Sequence, residues 1–136
     1  MGVFNRNIVD DNYNDAAAAL PNGAATTYSD DIDLGDIDFA GENFELLVSV
    51  PAFPVGVQAN GETLTVNIVA GAAASPTTVI LGSVIVATGA GGAGSAAAEK
   101  PFRLPSDCPR YVRVRFTAAG GTGDMSAVDA VVGLRF

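Results

Sequence analysis

Few side chains in this chain are equipped for chemistry, and each sits in a context that argues against it. The 136 residues include no histidine and one cysteine, Cys108. Without imidazole the commonest general acid–base group is missing, and a Cys/His zinc centre has no ligand set. One thiol cannot close an intramolecular disulfide. Cys108 lies in SDCPR beside Asp107, whose carboxylate raises a thiol pKa and so weakens its nucleophilicity. Lys100 is the only lysine, and neither Ser-x-x-Lys nor Gly-x-Ser-x-Gly occurs. Two carboxylates could still meet in space for glycoside hydrolysis, but the chain has no tryptophan to line a sugar groove. No catalytic residue, cofactor or metal is expected.

Three further patterns invite a functional reading. DIDLGDID (31–38) gathers Asp31, Asp33, Asp36 and Asp38. An EF-hand loop needs glycine at its sixth position, and here Gly35 falls at the fifth. Alternation instead points Ile32 and Leu34 inward and the acids outward, with a bulge or tight bend at Gly35. The acids then serve as a solvated strand edge or as a surface for a basic protein. GAGGAG (89–94) matches G-x-G-x-x-G literally, but only SAAAEK follows before Pro101. A dinucleotide site needs a helix opening at that loop and a parallel strand beyond it. The segment reads as a Gly/Ala loop that is mobile unless a neighbour covers it.

The third pattern is RYVRVRF (110–116), where Arg113 and Arg115 interrupt an apolar run. On a strand, Val112, Val114 and Phe116 share one face; Tyr111, Arg113 and Arg115 share the other. In SAVDAVVGLRF (126–136), Val128, Ala130, Val132, Leu134 and Phe136 share a face. A hairpin through AAGGTGDM would set Phe116 opposite Val128 and Arg115 opposite Asp129. The arginines are then the outer face of that hairpin, and a partner-binding surface if that face is an interface.

The elements that must position these residues are mostly strands. NFELLVSV, ETLTVNIV, TTVILGSVIVAT, RYVRVRFT and SAVDAVVGLRF are rich in β-branched residues and bounded by Gly, Pro, Asn and Asp clusters. In ETLTVNIV, Leu64, Val66 and Ile68 face one way and Thr63, Thr65 and Asn67 the other. Shorter strands are expected at TTYSDDIDLG and around PFRL. DAAAALPNG (15–23) suits about two helical turns, capped by Asp15 and closed by Pro21 and Gly23. The pattern of about seven or eight antiparallel strands over residues 26–136 suits a sandwich, a jelly roll or a small barrel, and the reading is an all-β, jelly-roll-like β-sandwich preceded by an N-terminal arm at 1–25.

Charge is unevenly placed. Residues 1–50 carry ten acids and one base, whereas residues 51–136 carry five acids and six bases, for a formal net charge of −8. Such a chain repels phosphate backbones, so nucleic acid is not an expected partner. No apolar run approaches the roughly 18–20 residues needed to cross a bilayer. MGVFNRNIVDDNYND lacks the pattern of a signal peptide, and Arg6 breaks that of a myristoylation site. A soluble protein, made and used without export or membrane, is expected.

Residues 26–136 resemble the jelly-roll cement, or head-decoration, proteins of tailed bacteriophages. The likeness rests on the acidic N-terminal segment, the TTYSDDIDLG strand, the GAGG loop after a long apolar strand and, above all, YVRVRFTAAGGTGDMSAVDAVVGL. It implies a non-enzymatic virion protein, made in the bacterial cytoplasm, that binds the capsid exterior. There it would bridge neighbouring major capsid subunits against the pressure of packaged DNA. Its partners would be the major capsid protein and itself, as a homodimer in preference to a homotrimer. The interface would draw on Asp31, Asp33, Asp36, Asp38, Arg113 and Arg115. The alternatives are another virion component, such as a tail, fibre-base or minor head protein, and a carbohydrate-binding β-sandwich.

Overall fold

A computed structural model describes residues 16–34, 45–105 and 107–135. Nine strands lie in them: β1 (Ala16–Ala19), β2 (Thr26–Tyr28), β3 (Ile32–Asp33), β4 (Glu45–Val50), β5 (Thr63–Gly71), β6 (Val79–Thr88), β7 (Ala98–Arg103), β8 (Tyr111–Ala118) and β9 (Asp129–Arg135). No helix occurs among the described residues. All pairings are antiparallel. One sheet runs β1-β9-β4-β7; the other runs β2-β8-β5-β6, with β3 also on β8. The chain is thus the expected all-β sandwich. If β2 and β3 count as one interrupted strand, the alternation of strands between the two sheets is compatible with a jelly roll.

The core is the layer between the sheets. Alternation in β5 and β8 drives Leu64, Val66, Ile68, Val112, Val114 and Phe116 into it, all with no exposed surface. The facing sheet contributes Leu46, Val48, Val50, Ala130, Val132 and Leu134. Asn67 was expected on the open face of β5 but is buried. Its Oδ1 accepts a 2.7 Å hydrogen bond from Ser83 N, so its side chain is satisfied against β6.

Three expectations are corrected. The first is the hairpin: β8 pairs with β2, β3 and β5, whereas β9 pairs with β1 and β4 in the other sheet. Asp129 stands opposite Ala19, not Arg115. Residues 119–128 arch from one sheet to the other. Gly123 N bonds to Val57 O at 2.7 Å, Met125 N bonds to Pro21 O at 3.0 Å, and the Met125 side chain is buried. Val128 lies before β9 and is 41 % exposed, not inward.

The second correction is the helix at 15–23. Residues 16–19 form β1 instead, with Ala16–Ala19 opposite Val132–Asp129. Alanine has the highest helix propensity, but an isolated run of four or five is far too short to hold a helix in water. An unsatisfied edge on β9 decides the matter. The third correction follows from the second. Of the arm expected at 1–25, residues 1–15 lie outside the described residues, and residues 16–25 join the fold: Ala18 and Leu20 are core residues at 2 % exposure, and Asn22 bridges to Asp124. Replacing Leu20 by Ala should therefore cost about 2–5 kcal/mol, the range for emptying a packed leucine site. Urea denaturation of the variant, followed by circular dichroism, measures this; a change under 1 kcal/mol would return this segment to a dispensable arm.

Candidate functional site

The candidate interface residues divide into two groups. Asp36 and Asp38 lie outside the described residues. Asp31, Asp33, Arg113 and Arg115 lie where β2 and β3 meet β8, and strand pairing brings them together. Tyr28 stands opposite Arg115, and Ile32 opposite Val112. Three residues, Ser29–Asp31, therefore face two, Arg113 and Val114, and the strand bulges. Ser29 repairs the ladder. Its N–H donates to Val114 O at 2.9 Å and its Oγ accepts from Val114 N at 2.9 Å. The side-chain oxygen thus takes the place of a carbonyl that the bulge removes.

The bulge aims Asp31 at Arg113. Their closest approach is 3.9 Å, between Arg113 Nε and Asp31 Oδ1, with the two side chains 14 % and 24 % exposed. Arg113 Nε also donates to Pro76 O at 2.8 Å, and its guanidinium lies 3.8 Å from the centroid of the Tyr28 ring. Asp31 Oδ2 accepts from Ser75 N at 2.7 Å. Both partners therefore hold the 72–78 loop. That loop folds back on its own strand, with Ala70 N bonded to Thr78 O at 2.9 Å. Ser75 takes a positive φ of 58° there, a conformation that costs a non-glycine residue and that the Asp31 bond offsets.

Asp33 is engaged differently. Arg110 Nε and Nη2 meet its two oxygens at 2.7 and 3.0 Å. This forked pair is about half exposed, so it contributes little to stability, on the order of 0–1 kcal/mol. Arg110 also lies 5.1 Å from the Tyr111 ring. Arg115 contrasts with both: on the same face it lies opposite Asn67 and Tyr28, and its buried Nε has no hydrogen-bond partner. Of the candidate residues that are described, Arg115 has an unmet donor, while Arg113, Asp31 and Asp33 already have work within the fold.

The GAGGAG loop is anchored at both ends, with Gly89 and Gly94 buried and residues 90–93 exposed. Gly89 N bonds to Glu62 O, Gly91 N to Asn60 Oδ1, and Ser95 pairs in both directions with Phe53. Backbone packs so closely that a Cβ on Gly89 would run into the carbonyls of Gln58 and Ala59, and one on Gly94 into Phe53 O. Glycine is needed for that approach, not for a phosphate. At the centre sits Gln58, fully buried. Its Nε2 donates to Ala87 O at 2.6 Å and Glu62 O at 3.1 Å, and its Oε1 accepts from Ser95 Oγ at 2.6 Å. Sequence reading missed this residue, because a glutamine in the turn-rich segment GVQANGE looks solvated.

Among the described residues no group of three or more acidic or cysteine side chains is placed to hold a metal ion. Burial, with a smaller contribution from Asp107, lifts the Cys108 thiol from an ordinary 9.0 to about 11. No protein family matches the chain, and no curated protein matches it.

Two outcomes follow. Arg113→Gln removes a charged donor from Pro76 O and the counter-charge of Asp31, so it should cost about 1–3 kcal/mol. It should also speed amide exchange in 72–78. Arg115→Gln should change stability by less than about 1 kcal/mol. Equal losses in urea melts would refute this division of labour. The thiol supplies a pH test. The folded state holds its proton above the pH at which the unfolded chain releases it, so stability present below pH 9 should fall as pH rises from 9 toward 11. Cys108→Ser should flatten that slope; an unchanged slope would remove the thiol as its source.

Proposed function

We propose that this protein is a virion structural protein that binds the outside of a phage capsid and cements neighbouring major capsid subunits. The observation that carries the reading is the strand order, β1-β9-β4-β7 over β2-β8-β5-β6. It is compatible with the jelly roll that the resemblance to phage cement proteins implies. YVRVRFTAAGGTGDMSAVDAVVGL, the most distinctive part of that resemblance, then holds β8, most of β9 and the arch between them that carries the chain from one sheet to the other. A cement protein must be rigid, and loops 53–62, 89–97 and 119–125 are tied to one another through Gln58, Ser95 and Gly123. Repetition over a shell multiplies modest contacts.

Within the candidate interface, Arg115 is the residue best suited to a subunit's carboxylate. Arg115 is half-buried and its Nε is unmet within the chain, so a new charge-assisted bond there gains more than at an arginine already paired. The full chain should co-sediment with capsid shells that lack it. Arg115→Gln should weaken that binding tenfold or more at a near-normal melting temperature. Shells that stay bare would overturn the reading, and recovery with purified tails would favour the other virion component.

A further inference from the structure

Among the described residues the two sheets have four edges, and three are guarded. β1 is four residues long. The β2/β3 edge is interrupted by the Ser29–Asp31 bulge and flanked by Asp30, Asp31 and Asp33. β7 carries Glu99, Lys100 and Arg103, and its Pro101 cannot donate to a neighbour. Short strands, bulges, charges and proline are the devices by which sheet edges avoid pairing with other chains.

The β6 edge has almost none of them. VILGSVIVAT is the longest strand and is uncharged. No charged side chain occurs anywhere in residues 63–98, although the chain carries −8 overall. Val79 and Val86 are 40 % and 50 % exposed. The devices present are two irregularities in its register with β5, between Val66 and Ile68 and between Ile68 and Val69. Ser83 takes a φ of 49°, and its N–H is bound by Asn67 Oδ1. The irregularities leave Ile85–Thr88 as the part of β6 in continuous register with β5.

We infer that β6 is the surface on which two copies of this chain pair, antiparallel, about a two-fold axis at Val86. The occupant follows from charge. Two molecules of net −8 repel overall, with ten of the fifteen acids in residues 1–50, and screening at physiological salt reaches only about 8 Å. The uncharged edge is where they meet with least repulsion. It also offers no charge to attract a basic or acidic partner, so its recognition rests on backbone pairing and apolar contact, which a second β6 supplies symmetrically. Antiparallel register about Val86 sets it against Val86 of the second copy and Val84 against Thr88 of the second copy. Ile85 and Ala87 stay in their own cores, and the five-stranded sheet continues across the junction.

Sedimentation and a cross-link test this without reference to capsids, so its outcome is independent of the cementing role. The full chain should sediment as a dimer. Val86→Lys should raise the dimer dissociation constant at least tenfold with unchanged circular dichroism, and Val128→Lys, at a similarly exposed site off the edge, should not. In a Cys108→Ser background, Val86→Cys should give a disulfide dimer with oxidised glutathione, since directly opposed antiparallel residues fall within bridging distance, and Val128→Cys should give none. The cross-link decides the matter if Val86→Lys fails to fold. A monomeric or trimeric wild-type chain, a Val86→Lys dimer, or equal cross-linking at both sites would overturn the proposal.

Discussion

Strand alternation across one apolar layer is the constraint on which the other features depend. The described residues offer no disulfide and no metal cluster, so the two sheets are held by what they bury between them. Once Val112, Val114 and Phe116 are committed to that layer, Arg113 and Arg115 must lie on the far side of β8. A slip of one residue would bury two guanidiniums and expose three core side chains. The same parity puts Asn67 and Val69 beside the arginines on β5, and Tyr28 beside them on β2. The outer-face cluster is thus a consequence of how the core is filled.

That face is then differentiated by one local irregularity. A regular β2–β3 strand would keep strict alternation past Tyr28; the extra residue in Ser29–Asp31 turns Asp31 toward Arg113. The arginine in turn anchors the carbonyl of Pro76. Removing the bulge would free a carboxylate, a guanidinium and a loop together, although the bulge itself involves only three residues. At the other end of the sandwich, Gln58 has a comparable position: its amide joins the Glu62 and Ala87 carbonyls to the Ser95 hydroxyl. Each partner in such a buried set satisfies the others, so losing one leaves the rest desolvated and unpaired.

Much of this was legible in the sequence, and the failures have a common cause. Period-two patterning found the strands and their inward faces, because burial alone sets that signal. It placed Ile32, Leu34, Leu64, Val66, Ile68 and the three apolar residues of β8 correctly. It could not say which strand lies beside which. Two strands with facing apolar sides look the same whether they are neighbours in one sheet or opposed across two, and YVRVRF and AVVGL are opposed. The Ala run failed for a related reason: local preference favoured helix, and the open edge of β9, far away in sequence, decided for strand. Arg113 and Arg115 look equivalent in RYVRVRF. Their difference arises from Pro76 and Asp31, residues that only the fold brings near.

The distribution of charge links the core to the edges. Acidic residues crowd the part of the sequence that includes β2 and β3, and β7 mixes both signs with a proline. The intervening stretch supplies β5, a central strand that needs no charge because both its edges are paired. β6 inherits the same apolar, β-branched composition but sits at a sheet margin. A composition suited to a buried strand, placed at an edge, leaves backbone groups open to another strand and valine side chains that water solvates poorly. The register irregularities shorten this exposed segment without removing it. Solvating it by a charge would have been a single substitution, as at Lys100 on β7. Its absence leaves the β6 edge uncharged in a chain whose net charge is −8.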